Sequence, residues 1–321
     1  MNVCGYCGKQ SSISLYPTSD IYGNAYEIHQ CKECKAFFLA PRPDTDRLSQ
    51  AYDSSYYGEQ EEKFSSSKVE KVLDMFRKRR AKELSRYLDE NDNILDIGCG
   101  NGRFLAYVSE YGSFNIYGTE LTGKAASRAG RVPGLILKTG MPADGDFSEG
   151  MFKAITLFHV FEHLEKPMEM LNIIDRILCT EGMLVMSFPN IASIQSAIFK
   201  GRWLHLDPPR HLFFFAPDVF TQIMNKRGYK LINKKYFSTE QNPFGAIQSI
   251  LNLFYRKREL LFESMKGNKE YTKEYTKTNL LIQKGFFAVT FPLFIISDIV
   301  ESLFKRGATV ELTFVKKQPN C

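Results

Sequence analysis

One tryptophan and five histidines are spread over 321 residues, so several histidines close together in the chain stand out against a sparse background. No apolar run is long enough to cross a bilayer. The strongest, residues 285–296 (GFFAVTFPLFII), is interrupted by Pro292 and followed by Asp298 and Glu301; as a helix it spans about 18 Å against a hydrocarbon core of about 30 Å. A buried or interfacial helix is expected there. The opening Met1-Asn2-Val3-Cys4 runs straight into polar residues with no apolar leader, the pattern of an unexported chain. Internal repeats and extended low-complexity tracts are absent. Strong charge is lacking too: the formal charge is +6 and the pI near 8.8, so Arg77-Lys78-Arg79-Arg80 and Arg256-Lys257-Arg258 read as solvated helix faces, not as a nucleic-acid footprint. With 44% hydrophobic and 24% charged residues, the chain is globular and long enough for a full core and a second module.

Four of the seven cysteines form two knuckles, Cys4-x-x-Cys7 and, after 23 intervening residues, Cys31-x-x-Cys34. Two such pairs bring four thiolates together for a tetrahedral Zn²⁺ with no open coordination position, hence a structural site. Residues 21–30 read as a strand leading into the second knuckle. Cys99, Cys179 and Cys321 are scattered and need only core or incidental roles.

Residues 93–102, NILDIGCGNG, carry the sharpest pattern. Ile94 and Leu95 lead through Asp96 into Gly98, Gly100 and Gly102, and the amphipathic run Phe104, Leu105, Tyr107, Val108 follows, so a buried strand turns abruptly into a helix. Glycines let the backbone approach a ligand, and the unpaired N–H groups of the next helical turn face it. A second acid, Glu120, ends Ile116-Tyr117-Gly118-Thr119-Glu120, the next strand of a βαβ unit, at a spacing suited to a ribose diol.

With both LDIGCGNG and GTEL, the chain resembles the class I S-adenosylmethionine-dependent methyltransferases. The resemblance implies a Rossmann-like α/β sheet, S-adenosyl-L-methionine as cofactor, Asp96, Gly98 and Gly100 around its methionine part, Glu120 on the ribose hydroxyls and Phe158 beside it. Further strands are expected at 135–138, 152–158 and 182–188, with a closing antiparallel pair at 230–237 and 309–315. Many relatives place an aspartate on the adenine where this chain has Met141, which leaves a backbone group or Asp144 for that contact; Lys153 stands where the family usually carries an acid. An amphipathic helix over 67–90, preceded by Tyr56 and Tyr57, matches the segment that often closes over the cofactor in the family; for the two tyrosines, plain aromatic packing is the alternative.

Ligands of open α/β sheets lie beyond the carboxyl ends of the strands, which puts His159-Val160-Phe161-Glu162-His163-Leu164 at the reaction centre. HVFEH matches the H-x-x-E-H zinc-peptidase pattern. We reject a peptidase, because so short a match arises easily by accident and stands where methyltransferases carry an E-H-L element. A helical spacing of four would set His159 and His163 on one face. Together with His211 in Asp207-Pro208-Pro209-Arg210-His211-Leu212, three readings stay open. His159, Glu162, His163 and His211 hold a second divalent metal, softer than Mg²⁺ because His159 replaces the acid found in small-RNA terminal-ribose and quinone O-methyltransferases. Alternatively His163 or His159 is a general base oriented by Glu162, with His211 on the substrate. In the third, Glu162 and His163 only pack. Arg210 anchors an acidic substrate or pairs with Asp207.

The expected organisation is a zinc ribbon over 1–42, a linker and amphipathic helix over 43–90, a Rossmann-like methyltransferase core over 91–243, a helical insertion over 244–308, and the final strand and tail over 309–321. The whole pattern resembles bacterial methyltransferases associated with surface-polysaccharide and other glycan pathways, which implies O-methylation of a sugar, glycan or other small hydroxylated acceptor. Competing classes are a sugar C-methyltransferase, an RNA ribose or base methyltransferase that docks nucleic acid with the zinc ribbon and Arg77–Arg80, and a non-catalytic binding protein. Expected partners are the acceptor and, through Phe286, Phe287, Phe291 and Phe294, a membrane or lipid-linked substrate; the expected location is cytoplasmic, at the inner face of the membrane where that contact forms.

Overall fold

Three short strands open the chain: β1 (Ser12–Ser19), β2 (Ala25–Cys31) and β3 (Phe37–Ala40), followed by α1 (Thr45–Ala51). The strand expected over 21–30 is partly turn. Asp20 accepts hydrogen bonds from the backbone N–H groups of Tyr22 and Asn24, and Gly23 takes φ +91°. The chain therefore reverses at 20–24, and β1 runs back along β2 with Ser12 opposite Cys31.

A computed structural model describes residues 3–52 and 67–317; Tyr56, Tyr57 and Cys321 lie outside the described residues. After α2 (Ser67–Ser85) come β4 (Asn93–Ile97), α3 (Arg103–Val108), β5 (Asn115–Glu120), α4 (Lys124–Ala129), β6 (Ile136–Thr139), β7 (Phe152–Phe158), α5 (Pro167–Ile177) and β8 (Leu178–Pro189). The helical run expected to reach 90 stops at Ser85, and Tyr87 and Leu88 donate back to the Leu84 and Ser85 carbonyls in a turn. The remaining elements are α6 (Ile194–Phe199), β9 (Phe213–Phe214), α7 (Pro217–Lys226), β10 (Tyr229–Lys235), α8 (Asn242–Phe254), α9 (Leu260–Lys266), α10 (Lys269–Thr272), α11 (Lys277–Leu303) and β11 (Thr309–Lys316).

Two compact units result: Met1–Ser67 with Phe188–Val219 and Lys235–Val310, and Lys68–Ser187 with Phe220–Lys234 and Glu311–Cys321. In the second, a seven-stranded sheet has the order β10-β11-β8-β7-β4-β5-β6, the Rossmann-like class I methyltransferase architecture. Its centre is parallel, with Ile94 beside both Ile116 and Ala154. Central parallel strands are covered on both faces and so read as nearly unbroken apolar runs; Ile94, Leu95, Ala154, Ile155 and Leu157 are fully buried.

In the first unit, β9 adds to β3 in a four-stranded sheet ordered β1-β2-β3-β9, pairing Phe37 with Phe214 and Phe38 with Phe213. Its core holds Tyr26, Ile28, Leu39, Trp203 and Phe214. The same unit contains α8, α9 and α11, where Ile247, Leu251 and Leu261 pack against Phe286, Phe287, Phe291 and Phe294. One expectation for this stretch is overturned. The helix extends beyond residues 285–296 at both ends: it runs unbroken through Pro292 for 27 residues, about 40 Å, and is long and apolar enough to cross a membrane by length and composition. A proline inside a helix forfeits one backbone hydrogen bond, and the flanking turns hold the helix together here. The four phenylalanines are half-buried against this cluster.

Candidate active site

The turn after β4 is held by backbone strapping to its neighbour. Gly98 and Cys99 both donate their N–H to the Thr119 carbonyl, at 2.8 and 2.9 Å. Gly98, Gly100 and Gly102 take φ of +73°, +59° and +75°, a region side chains resist. A Cβ on Gly98 would lie 2.5 Å from a methyl of Val160, whereas one on Gly100 would meet nothing within 4 Å. The first glycine is required by packing; the second opens onto free space.

Both acids of this site are buried. Glu120 accepts from the N–H of Gly100 at 2.7 Å and of Leu121 at 2.9 Å, so the acid ending β5 is bonded to the glycine turn itself; burial holds its carboxyl above the usual range. Burial pushes Asp96 up to about 7, against the pull of a hydrogen bond from Thr156 and with a further push from the Glu120 charge. Thr156 donates its hydroxyl to Asp96 Oδ1 at 2.6 Å. Sequence reasoning missed Thr156, although a hydroxyl in the middle of the apolar strand FKAITLF was a signal to be read. Phe158, at the end of β7, is half-buried, edge-on to Phe104 with centroids 5.0 Å apart, and the Arg80 guanidinium lies 5.1 Å from its ring centre. Asp144, the alternative to Met141 for an adenine contact, is paired with Arg176 at 3.0 Å.

The segment after β7 is not an α-helix. His159 sits at φ +55°, its N–H held by the Ser187 carbonyl of β8 at 2.9 Å, and Phe161–His163 is a single 3-10 turn. The helical i, i+4 face expected for His159 and His163 does not form, because the left-handed residue and the tighter turn break that register. Such strain costs about 1–3 kcal/mol and collects at functional sites. Phe161 anchors the turn edge-on against Phe220, 5.3 Å between centroids. Glu162 is 2% exposed, and its Oε1 lies 3.4 Å from His159 Nδ1, so these two stand as a dyad at ion-pair distance; His163 is half-buried in the same turn.

His211 belongs to the first unit. Its Nδ1 lies 2.8 Å from the His205 carbonyl, which can only accept, so Nδ1 carries the proton; Nε2 is 3.7 Å from Asp207. Arg210 is buried and pairs with Asp207 through Nε at 3.0 Å. It is the partner of Asp207 and not a free anchor.

A methyltransferase-domain family model matches residues 68–234, half of the chain. The chain belongs to this family. No curated protein sequence matches it. Among solved structures it is similar to a chain of the complex between the Haloferax volcanii Trm112 methyltransferase activator and its assigned methyltransferase, 13% identical, with 79% of this chain and 95% of that one covered and a TM-score of 0.50. A structure assigned as a sarcosine dimethylglycine methyltransferase from Galdieria sulphuraria is 12% identical, with 84% and 98% covered and a TM-score of 0.51. At such identity the likeness is one of fold.

The protein is therefore a methyltransferase dependent on S-adenosylmethionine, and its glycine turn fits that cofactor. The space over Gly100 leaves room for a ligand against the backbone, and Asp96, raised by burial, is a carboxyl that the positive charge of a sulfonium and an α-ammonium would favour in its ionised form. Elsewhere in the methyltransferase, the four thiols of Cys4, Cys7, Cys31 and Cys34 lie within 4.8 Å of one another, with Cys4–Cys34 and Cys7–Cys31 sulfurs each 3.6 Å apart. Four sulfurs at about 2.3 Å from one tetrahedral ion stand about 3.8 Å apart, so the cluster can hold a metal. The knuckles repeat each other: Gly8 and Lys35, each just after its second cysteine, take φ +71° and +60°.

The basic run on α2 is paired with carboxylates of α2 itself and of other segments of its unit. Arg77 bonds Glu70 and Asp74, Lys78 faces Glu110 at 3.5 Å, Arg79 pairs with Glu83 and Arg80 with Glu311. Arg103, at the start of α3, also bonds Asp74, tying α2 to the helix of the cofactor turn. These are ion pairs, not merely solvated charges.

Proposed function

We propose that the enzyme methylates a hydroxyl oxygen of a sugar, glycan or other small hydroxylated acceptor, with His159 as general base and Glu162 as its positioning residue. The dyad at the carboxyl end of β7 carries this reading, since a hydroxyl is a poor nucleophile until its proton is removed. Bound S-adenosylmethionine supplies an electrophilic methyl on sulfur. The acceptor oxygen forms a bond to that carbon as the carbon–sulfur bond breaks, and the hydroxyl proton passes to the His159 nitrogen turned away from Glu162. Glu162 Oε1, 3.4 Å from Nδ1, holds the ring and stabilises the imidazolium. Pairing of the α2 arginines and lysine with carboxylates of their unit counts against RNA as acceptor. The four cysteines are proposed to hold one structural zinc.

Turnover of S-adenosylmethionine on a panel of sugars, with mass spectrometry of the product, tests this. His159→Ala is expected to lower kcat by about 10²–10⁴-fold and Glu162→Gln by less, with cofactor affinity unchanged in both. O-methyl product absent across the panel, or full activity of His159→Ala, would overturn it. Elemental analysis is expected to find one zinc per chain. A second ion that restores turnover after chelation would replace the metal-free base with a metal-assisted one.

A further inference from the structure

The longest helix among the described residues is turned inside out. Its buried residues are Gln283, Asp298 and Glu301, whereas Leu281, Ile282, Val289, Leu293, Ile296, Ile299, Val300 and Leu303 are exposed, Val289 by 75% and Leu303 by 77%. At the 3.6-residue period of a helix they all fall on one side and form one apolar stripe. Leu253 and Phe254, ending α8 in the same unit, are exposed as well. Ordinary soluble proteins seldom leave so long an apolar face open.

Charge along this helix has one sign outside and the other inside. Asp298 accepts from Asn242 Nδ2 at 2.6 Å and from the Ser238 N–H at 3.1 Å; Glu301 accepts from Gln195 and Ser297. Both acids are buried, so from Lys277 to Arg306 no carboxylate is exposed, while Lys277 and Lys284 at one end and Lys305 and Arg306 at the other are. Lys284 and Lys305 stand about 30 Å apart along the axis.

Crossing a bilayer is ruled out by how the ends are tied. Ahead of the helix, buried Arg258 donates to the Ser19 and Gly201 carbonyls and receives Tyr271 Oη–H on its own carbonyl at 2.6 Å. Behind it, the Ala308 carbonyl accepts from the Asn190 N–H and the Thr309 N–H donates to Asn242. Both ends belong to one folded unit, so the stripe can be covered only from the side. A second copy is disfavoured by charge: parallel or antiparallel, each basic end would meet a basic end of its partner. Anionic headgroups around a hydrocarbon surface complement both the stripe and its flanks.

We propose that the outward face of α11 lies in the plane of an anionic membrane, its aliphatic side chains in the acyl boundary and Lys277, Lys284, Lys305 and Arg306 among the headgroups. The test is cosedimentation of the full chain with phosphatidylcholine vesicles, with and without phosphatidylglycerol. Binding is expected on the anionic vesicles and to weaken with added salt. Val289→Asp/Leu293→Asp, at sites already in solvent and with an unchanged circular dichroism melt, should lose binding at least about tenfold; Lys284→Glu/Lys305→Glu should lose it selectively on the anionic vesicles. No binding by the wild-type chain to either vesicle, or undiminished binding by the aspartate variant, would overturn the proposal. So would a lipid-free dimer that the aspartate variant dissolves.

Discussion

Two helices of similar apolar content, α5 and α11, bury opposite faces. Along α5, Met170, Leu171, Ile174 and Ile177 are buried and Glu169 is outside. Along α11, Leu281, Val289, Leu293 and Leu303 are outside while Asp298 and Glu301 are within. The first is stabilised by removing hydrocarbon from water. The second is fixed to its unit by a half-buried row of phenylalanines and by charge-assisted hydrogen bonds to Asn242, Ser238 and Gln195. Periodicity shows that a helix has two faces; which face is solvated depends on what the surroundings offer.

The largest effect that can break this contrast is truncation of matched aliphatic side chains. Leu171→Ala should cost about 2–5 kcal/mol in urea unfolding, as buried leucines do, whereas Leu293→Ala should stay within about 0.5 kcal/mol, as exposed positions do. Equal losses would mean that the outer face of α11 is covered in the lipid-free protein.

The same contrast explains what could be read in the chain and what could not. The glycine turn and the acid that closes β5 are legible because a left-handed, closely packed turn admits little besides glycine, and Gly100 and Glu120 are indeed bonded to each other. The CxxC pairs are legible because metal chemistry dictates their spacing. β9 escapes notice because two residues, Phe213 and Phe214, carry no alternation, and only long-range pairing with β3 makes them a strand. His159 at φ +55° escapes for a related reason: a left-handed non-glycine residue is imposed by its surroundings, here by the Ser187 carbonyl and the turn that follows. The full length of α11 is hidden because polar residues, Lys277, Thr278 and Asn279 before the apolar run and Asp298 and Glu301 after it, read as its bounds although they lie within the helix.

A smaller effect tests the polar interior of α11. Asp298→Ala removes the acceptor for Asn242 Nδ2 and should cost about 1–3 kcal/mol. Burial raises Asp298 to about 6, above the ordinary carboxylate value of about 3.9. The folded chain thus holds this proton more tightly than the unfolded one. The group's stabilisation is complete below about pH 4 and declines as pH rises through 6. Thermal melts of the ligand-free protein should show that decline, and Asp298→Asn should flatten it.

The smallest effect separates the two buried acids. Asp96, at about 7, also stabilises the ligand-free protein less as pH rises, by the same sign of linkage, but it lies on the strand leading into the glycine turn expected to hold the cationic cofactor, and Asp298 does not. Positive charge binds to the ionised carboxylate, so affinity for S-adenosylmethionine should rise by about tenfold from pH 6 to pH 8, following the ionised fraction of a group titrating near 7. Titration calorimetry at three pH values reads this directly: Asp96→Asn should bind more weakly and lose most of the slope, while Asp298→Asn should keep it. A slope that survives in Asp96→Asn would assign the pH response to another group and detach Asp96 from the cofactor's charge.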